Sequence, residues 1–178
     1  MGDERSRFEA QVLPHLDAAY RFALALTRAP DDAADLVQEA ILRAFRGFQG
    51  LKATEAKPWL LTIVRNCYFT ARERQRRETA LPLRDDCDEI PEDSLVAAGP
   101  DPERSSIQEE QQRALGRLLP RLPREQREAL ILREIEDMSY RDIAAVTRVP
   151  IGTVMSRLAR ARVALKELWI AEHGAADR

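Results

Sequence analysis

Apolar residues recur at three- and four-residue intervals along most of this chain, and no strand-like alternation of useful length interrupts them. Leu16, Tyr20, Ala23, Leu24 and Thr27 share one face and predict a first helix, bent or begun near Pro14. Leu36, Val37, Ala40, Ile41, Ala44 and Phe45 predict the inner face of a second helix, with Asp31 or Asp32 as its N-cap after Pro30. Asp35, Gln38, Glu39 and Arg43 then point outward, as a solvated row or a docking face. Gly47 and Gly50 mark a loop, and Pro58-Trp59-Leu60-Leu61 opens a third helix running through Arg77. Its inner stripe is Trp59, Ile63 and Cys67. Asn66, Arg72, Arg74, Arg76 and Arg77 give it a basic exterior and tail.

Near the C-terminus, Ile143, Val146 and Val149 continue into Val154, Leu158, Ala161 and Leu165, predicting two helices around a turn at Thr147-Arg148-Val149. Ser139 is placed to cap the first, and Pro150 to start the second, where a first-turn N–H has no intrahelical partner. A short helix, a tight turn and an arginine-bearing second helix form the pattern of a DNA-reading helix-turn-helix. With the apolar stripe committed to packing, Thr153, Ser156, Arg157 and Arg160 face the other way, where hydroxyls and guanidinium groups meet phosphates and base edges.

The formal net charge of −2 suits a DNA binder only once it is resolved along the chain. Arg65 to Arg77 holds five arginines against one acid, and Ser139 to Lys166 holds six basic residues against one acid. Between them, Glu78 to Arg104 holds nine acids and two arginines. Two basic patches therefore flank an acidic connector. From Leu81 to Pro102 that connector contains four prolines and few large apolar residues, too little to offset its ordering entropy. The expected architecture is all-α: a helical domain over 1–78, a flexible acidic linker over 79–106, a smaller helix-turn-helix domain over 107–172 and a disordered tail over 173–178.

Other classes find little support. No apolar run approaches bilayer length and the N-terminus lacks a signal-peptide core, so a cytoplasmic protein without membrane insertion is expected. Cys67 and Cys87 are too far apart and too few for a structural zinc site, and His15 and His173 have no neighbours at ligand spacing. No phosphate loop or nucleophile grouping is present, so neither a metal, a cofactor nor an enzymatic activity is expected.

Two separate stretches carry a family resemblance. Asp32-Ala33-Ala34-Asp35-Leu36-Val37-Gln38-Glu39, with Lys57-Pro58-Trp59-Leu60-Leu61-Thr62-Ile63-Val64-Arg65-Asn66, resembles region 2 of bacterial sigma-70-type factors. Leu122-Pro123-Arg124-Glu125-Gln126-Arg127-Glu128-Ala129-Leu130, the Ser139-Tyr140 helix and Gly152-Thr153-Val154-Met155-Ser156-Arg157 resemble region 4. The ordered pair, with only an acidic linker between, is similar to the extracytoplasmic-function (ECF, group IV) sigma factors.

The resemblance implies a transcription initiation factor whose partners are core RNA polymerase (β′ and β subunits), promoter DNA and an anti-sigma factor. It implies a role in a stress or envelope response, in the cytoplasm and at the nucleoid when polymerase-bound. Asp35, Leu36, Gln38, Glu39 and Arg43 match the segment that docks on the β′ coiled coil. Phe48, Leu51, Lys52, Trp59, Asn66, Arg72 and Arg74 fall on the segments that capture or support the −10 element. For Trp59 the residues alone favour a core aromatic over a base-stacking role. Arg148, Thr153, Ser156, Arg157, Arg160 and Arg162 fall on the reader of the −35 element. Met155 stands where many relatives carry a lysine or arginine, and Arg148 near a common glycine, which predicts a strained turn backbone.

A DNA-binding regulator of the response-regulator output type shares the four-helix pattern of Leu122 to Trp169 but leaves the first domain's helix order and the Trp59–Asn66 stretch unexplained. With a loose linker, the two domains of the free chain are expected to move independently until a partner fixes them.

Overall fold

The computed structural model describes residues 2–48, 53–79 and 114–173, and among them there is no strand. The first unit comprises α1 (Gly2–Val12), a 3₁₀ turn (Leu13–His15), α2 (Leu16–Thr27), α3 (Pro30–Arg46) and α4 (Ala53–Thr79). The second comprises α5 (114–118), a 3₁₀ turn (Leu119–Arg121), α6 (Arg124–Leu130), a π turn (Ile131–Ile135), α7 (Tyr140–Thr147) and α8 (Ile151–His173). The predicted linker from residue 80, Cys87 and the tail from residue 174 lie outside the described residues, while Thr79 and His173, expected as the first linker and tail residues, end α4 and α8.

α2 is the central rod of the first unit. Ala18, Ala19, Phe22, Ala23, Leu24, Ala25 and Leu26 are all buried, so it is enclosed on several sides. It ends where Arg28 adopts a left-handed backbone (φ 59°) and donates its N–H to the Leu24 carbonyl at 2.8 Å. α3 follows at once. Its buried face is Ala33, Leu36, Ala40 and Ala44, and these mostly small side chains allow close approach to α2 and α4.

Several local expectations change. α1 precedes the predicted first helix; its amphipathicity is weak, and only Phe8 and Val12 anchor it in the core. Neither Asp31 nor Asp32 caps α3. Pro30 takes the first helical position, where its missing N–H costs nothing, and the two acids sit in the first turn against the helix dipole. α4 begins before Pro58, which lies inside it. Phe45, predicted inward, is largely exposed, although its ring edge meets Phe8 at 5.2 Å between centroids.

In the second unit the Ser139 hydroxyl accepts the Asp142 N–H at 3.1 Å and donates to the Asp142 carboxylate at 2.7 Å, so the expected cap forms. Arg148 takes the left-handed conformation (φ 56°, ψ 42°) in the turn, as the absence of glycine there predicts. The α8 N-terminus hangs on the Pro150 carbonyl, which accepts from Thr153 and Val154.

The two units are packed together, contrary to the expectation of independent domains. α4 lies against α7, α2 against α6 and the π turn, and the buried residues of both units form one continuous core. The reason lies in charged residues whose spacing predicts a place on the surface.

Candidate polymerase and nucleic-acid interfaces

On α3, Asp35, Gln38 and Glu39 are exposed on one face, while Leu36 is turned into the core. Arg43 donates to Glu39 at 2.6 Å one turn away, with both side chains about half exposed. This pair orders the row without neutralising Asp35. A groove of about 680 Å³ runs between this face, the end of α2 and α4, lined by Asp32, Asp35, Glu39, Arg43, Arg72 and Arg74 among others. Its floor includes Cys67, a buried free thiol whose pKa is raised chiefly by burial, so it stays protonated.

On the −10 side the predicted residues divide. Phe48 is buried, with edge-on contacts to Phe8 (5.4 Å) and Trp59 (6.4 Å). Its ring is therefore a core aromatic and not a free contact for an extruded base. Trp59 packs against the same core and is only partly exposed. Leu51 and Lys52 lie outside the described residues. Asn66 is half-buried, Arg72 donates to the Tyr68 hydroxyl at 2.9 Å, and Arg74 pairs with Glu78 at 2.8 Å on the surface.

On the recognition helix α8, Ser156 and Arg160 are exposed and linked, Arg160 donating to the Ser156 hydroxyl at 3.2 Å. Thr153 is half-buried and Met155 exposed beside them. Arg162 is held by Glu134 at 2.7 Å. Arg157 departs most from expectation: its side chain is 13% exposed and pairs with Glu125 of α6 at 2.8 Å. It is turned inward in this conformation.

Two buried carboxylates tie the units together, and one of them, Glu128, lies beside Arg157. Glu136, delivered inward at the end of the π turn, accepts from Arg21 of α2 at 2.7 Å and from Lys57 of α4 at 2.8 Å. Lys57 also donates to the Glu136 carbonyl at 2.7 Å. Burial pushes the Glu136 pKa up, but Arg21 and Lys57 outweigh it and hold the carboxyl below the usual range. Glu128 of α6 accepts from Arg65 of α4, with Arg124 and Arg157 nearby. Here burial wins over the three arginines and raises the pKa. Arg65 and Arg124 both lie over the Phe69 ring of α4, at 4.6 and 5.1 Å. Arg127 is fully buried and donates to the carbonyls of Ala25 (2.6 Å), Pro120 (3.1 Å) and Leu122 (2.9 Å).

A cleft of about 820 Å³ along this seam brings Asn66, Phe69, Arg74 and Arg77 of α4 together with Arg148 of the helix-turn-helix turn. Residues predicted for both promoter elements, Asn66 and Arg74 for −10 and Arg148 for −35, thus line a single cleft.

Arg21, Lys57, Arg65, Arg127, Glu128 and Glu136 do not stand out in the sequence. A signal exists for two of them. Ala129 to Leu132 is apolar at four consecutive positions, which leaves a helix no solvent face and draws the adjoining Arg127 and Glu128 inward as well.

Comparison with known proteins agrees with this division. Residues 12–78 match the family described as Sigma-70 region 2, and residues 112–165 match Sigma-70, region 4. The ECF RNA polymerase sigma factor SigE of Mycolicibacterium smegmatis is 35% identical over 162 residues, 91% of this chain; the chain spans 61% of that protein's length. The RNA polymerase sigma-H factor of Pseudomonas aeruginosa is 31% identical, covering 92% of this chain and 86% of the relative. The ECF sigma factor EcfG of Rhodopseudomonas palustris is 34% identical, covering 93% and 86%. Among solved structures, the sigma factor RpoE of Bartonella quintana, crystallised with the anti-sigma factor NepR, superposes with a TM-score of 0.69 at 30% identity, covering 96% of this chain and 98% of that one. With both regions in family order and relatives matched over most of their length, this chain belongs to the ECF group of the sigma-70 family of RNA polymerase sigma factors.

Proposed function

We propose that the chain docks on core RNA polymerase through the exposed Asp35/Gln38/Glu39 row of α3 and directs it to promoters by two DNA contacts, α4 at the −10 element and α8 at the −35 element. The observation that carries this reading is one chain holding both an acidic, outward α3 face and a capped helix-turn-helix with Ser156 and Arg160 exposed. Acids one turn apart suit a basic protein surface and repel phosphate, which assigns α3 to polymerase and not to DNA.

The mechanism follows from what each element offers. Exposed arginines and hydroxyls on α8 read duplex DNA in the major groove. The outer face of α4, with Asn66, Arg72 and Arg74, lies against the −10 strand. Opening the duplex costs a few kcal/mol per unstacked step, offset by gripping the exposed strand. Polymerase supplies the catalysis, and holds the two DNA contacts at a fixed spacing that the chain alone does not impose. An anti-sigma factor controls its availability, a reading supported by the likeness to RpoE, which was crystallised in complex with the anti-sigma factor NepR. The action is cytoplasmic, at the nucleoid, in a stress response.

Reconstitution tests it. Purified core polymerase is mixed with the chain, holoenzyme is isolated by size exclusion, and run-off transcription is measured on supercoiled template. The expected result is a stable complex and initiation at defined sites that core alone does not use. Absence of a complex would contradict the reading.

A further inference from the structure

We infer that the packed arrangement is a self-inhibited state of the free chain, latched by its own carboxylate Glu136 against Arg21 and Lys57, and that it must open before promoter DNA is bound. This rests on the proposed promoter function and adds a control of it that needs no second protein.

Three observations carry it. The first is distance. Asn66, assigned to the −10 element, and Arg148, assigned to the −35 element, line one cleft. The two elements lie about 25 base pairs apart by their names, roughly 85 Å of B-form DNA at 3.4 Å per pair. No duplex reaches both residues while they share a cleft, so the packed form is not the promoter-bound form.

The second is occupancy. Arg157, on the DNA-facing side of α8, is turned to Glu125 and toward Glu128 and is nearly shut off from solvent. Glu125 belongs to Arg157's own unit, whereas across the seam region 2 cations are engaged by region 4 carboxylates, Arg21 and Lys57 by Glu136 and Arg65 by Glu128. The two carboxylates occupy cations that an approaching phosphate backbone would otherwise attract.

The third is the nature of the seam. It is continuous with the core but crossed by buried charge, and it is imperfectly satisfied. The second Glu128 oxygen and the Arg157 Nη1 are buried without a hydrogen-bond partner among the described residues. Buried ion pairs recover little net free energy against an apolar seam, and buried unsatisfied atoms subtract from it. Such an interface closes specifically and opens at modest cost.

Two full-length variants test the latch. Glu136→Gln keeps side-chain shape while removing the charge that holds Arg21 and Lys57; small-angle scattering of the free protein should show a larger radius of gyration than the parent at unchanged helicity. In the second, native cysteines are replaced by alanine, Arg21→Cys and Glu136→Cys are introduced, and a short bis-maleimide bridges them. The bridged protein should lose promoter-dependent transcription with core polymerase by at least about tenfold, since only the open fraction is competent, while the unbridged protein stays active. A bridged protein as active as the unbridged one, or a Gln variant as compact as the parent, overturns the latch. An unbridged and parent protein both inactive with core polymerase would instead contradict the sigma-factor reading itself, while the scattering comparison would still decide the latch.

Discussion

The Arg127 guanidinium of α6 donates to the Ala25 carbonyl in the last turn of α2 at 2.6 Å, joining two helices 102 positions apart in the chain. A cation at the carbonyl end of a helix also meets the negative end of its dipole. The same guanidinium holds Pro120 and Leu122, so it organises the entry to α6 as well as the seam. Arg127→Ala leaves these buried carbonyls without their donor and should cost on the order of 3 kcal/mol. Arg127→Lys should recover only part of that, because an ammonium lacks the planar fork. Urea unfolding midpoints of the two variants check both statements.

Closure of the two units should persist from neutrality down to the ordinary carboxylate range and weaken below it. The Glu136 carboxyl, facing Arg21 and Lys57, has a lowered pKa, so its contribution is complete above the ordinary glutamate value of about 4.3 and is lost as pH falls through its lower native value. Glu128 acts in the opposite sense: its raised pKa favours the packed state as it becomes protonated, which partly compensates. Scattering across an acid titration should show expansion only at the acid end, and Glu136→Gln should remove that limb.

Reversing the α3 row should separate docking from folding. Asp35 and Glu39 are exposed, so Asp35→Arg with Glu39→Arg should leave the thermal midpoint almost unchanged while weakening core binding at least about tenfold. Core affinity equal to that of the parent would remove α3 from the docking surface.

Within holoenzyme, Arg157→Ala and Arg160→Ala should each cost on the order of 1–3 kcal/mol if the side chain contacts a base, or lower the salt slope if it contacts phosphate. In the free chain they should differ. Arg160 is linked only to Ser156 on its own helix, whereas Arg157 pairs with Glu125 of its own unit and lies beside Glu128, the partner of Arg65 across the seam, so Arg157→Ala alone should also loosen the packed state. Promoter affinity against salt, with scattering of the free variants, distinguishes the two.

Helical class and both motifs are legible because they rest on local rules: the Ser139 cap, the left-handed Arg148 and the inward stripe of Val154, Leu158 and Ala161 all stand where spacing puts them. The N-cap of α3 is not, because Pro30 competes with Asp31 and Asp32 for the same turn, and a proline at the first helical position needs no side-chain acceptor. Phe48 has the local setting of an exposed loop residue, yet its aromatic partners Phe8 and Trp59 lie on α1 and α4, and such a cluster has no signature at short range. The packed seam is hidden for the same reason. Arg21, Lys57 and Glu136 look like surface residues one at a time, and only their meeting across 79 and 115 positions allows them to be buried.

Mapping RNA 5′ ends made in vitro from sheared genomic DNA of the source organism decides whether this chain gives polymerase its promoter choice. Core polymerase is run with the chain, without it, and with the Arg157→Ala/Arg160→Ala variant. The expected result is a set of start sites found only with the parent chain, sharing one sequence element near −10 and another near −35, and depleted with the variant. Start sites indistinguishable with and without the chain would contradict it.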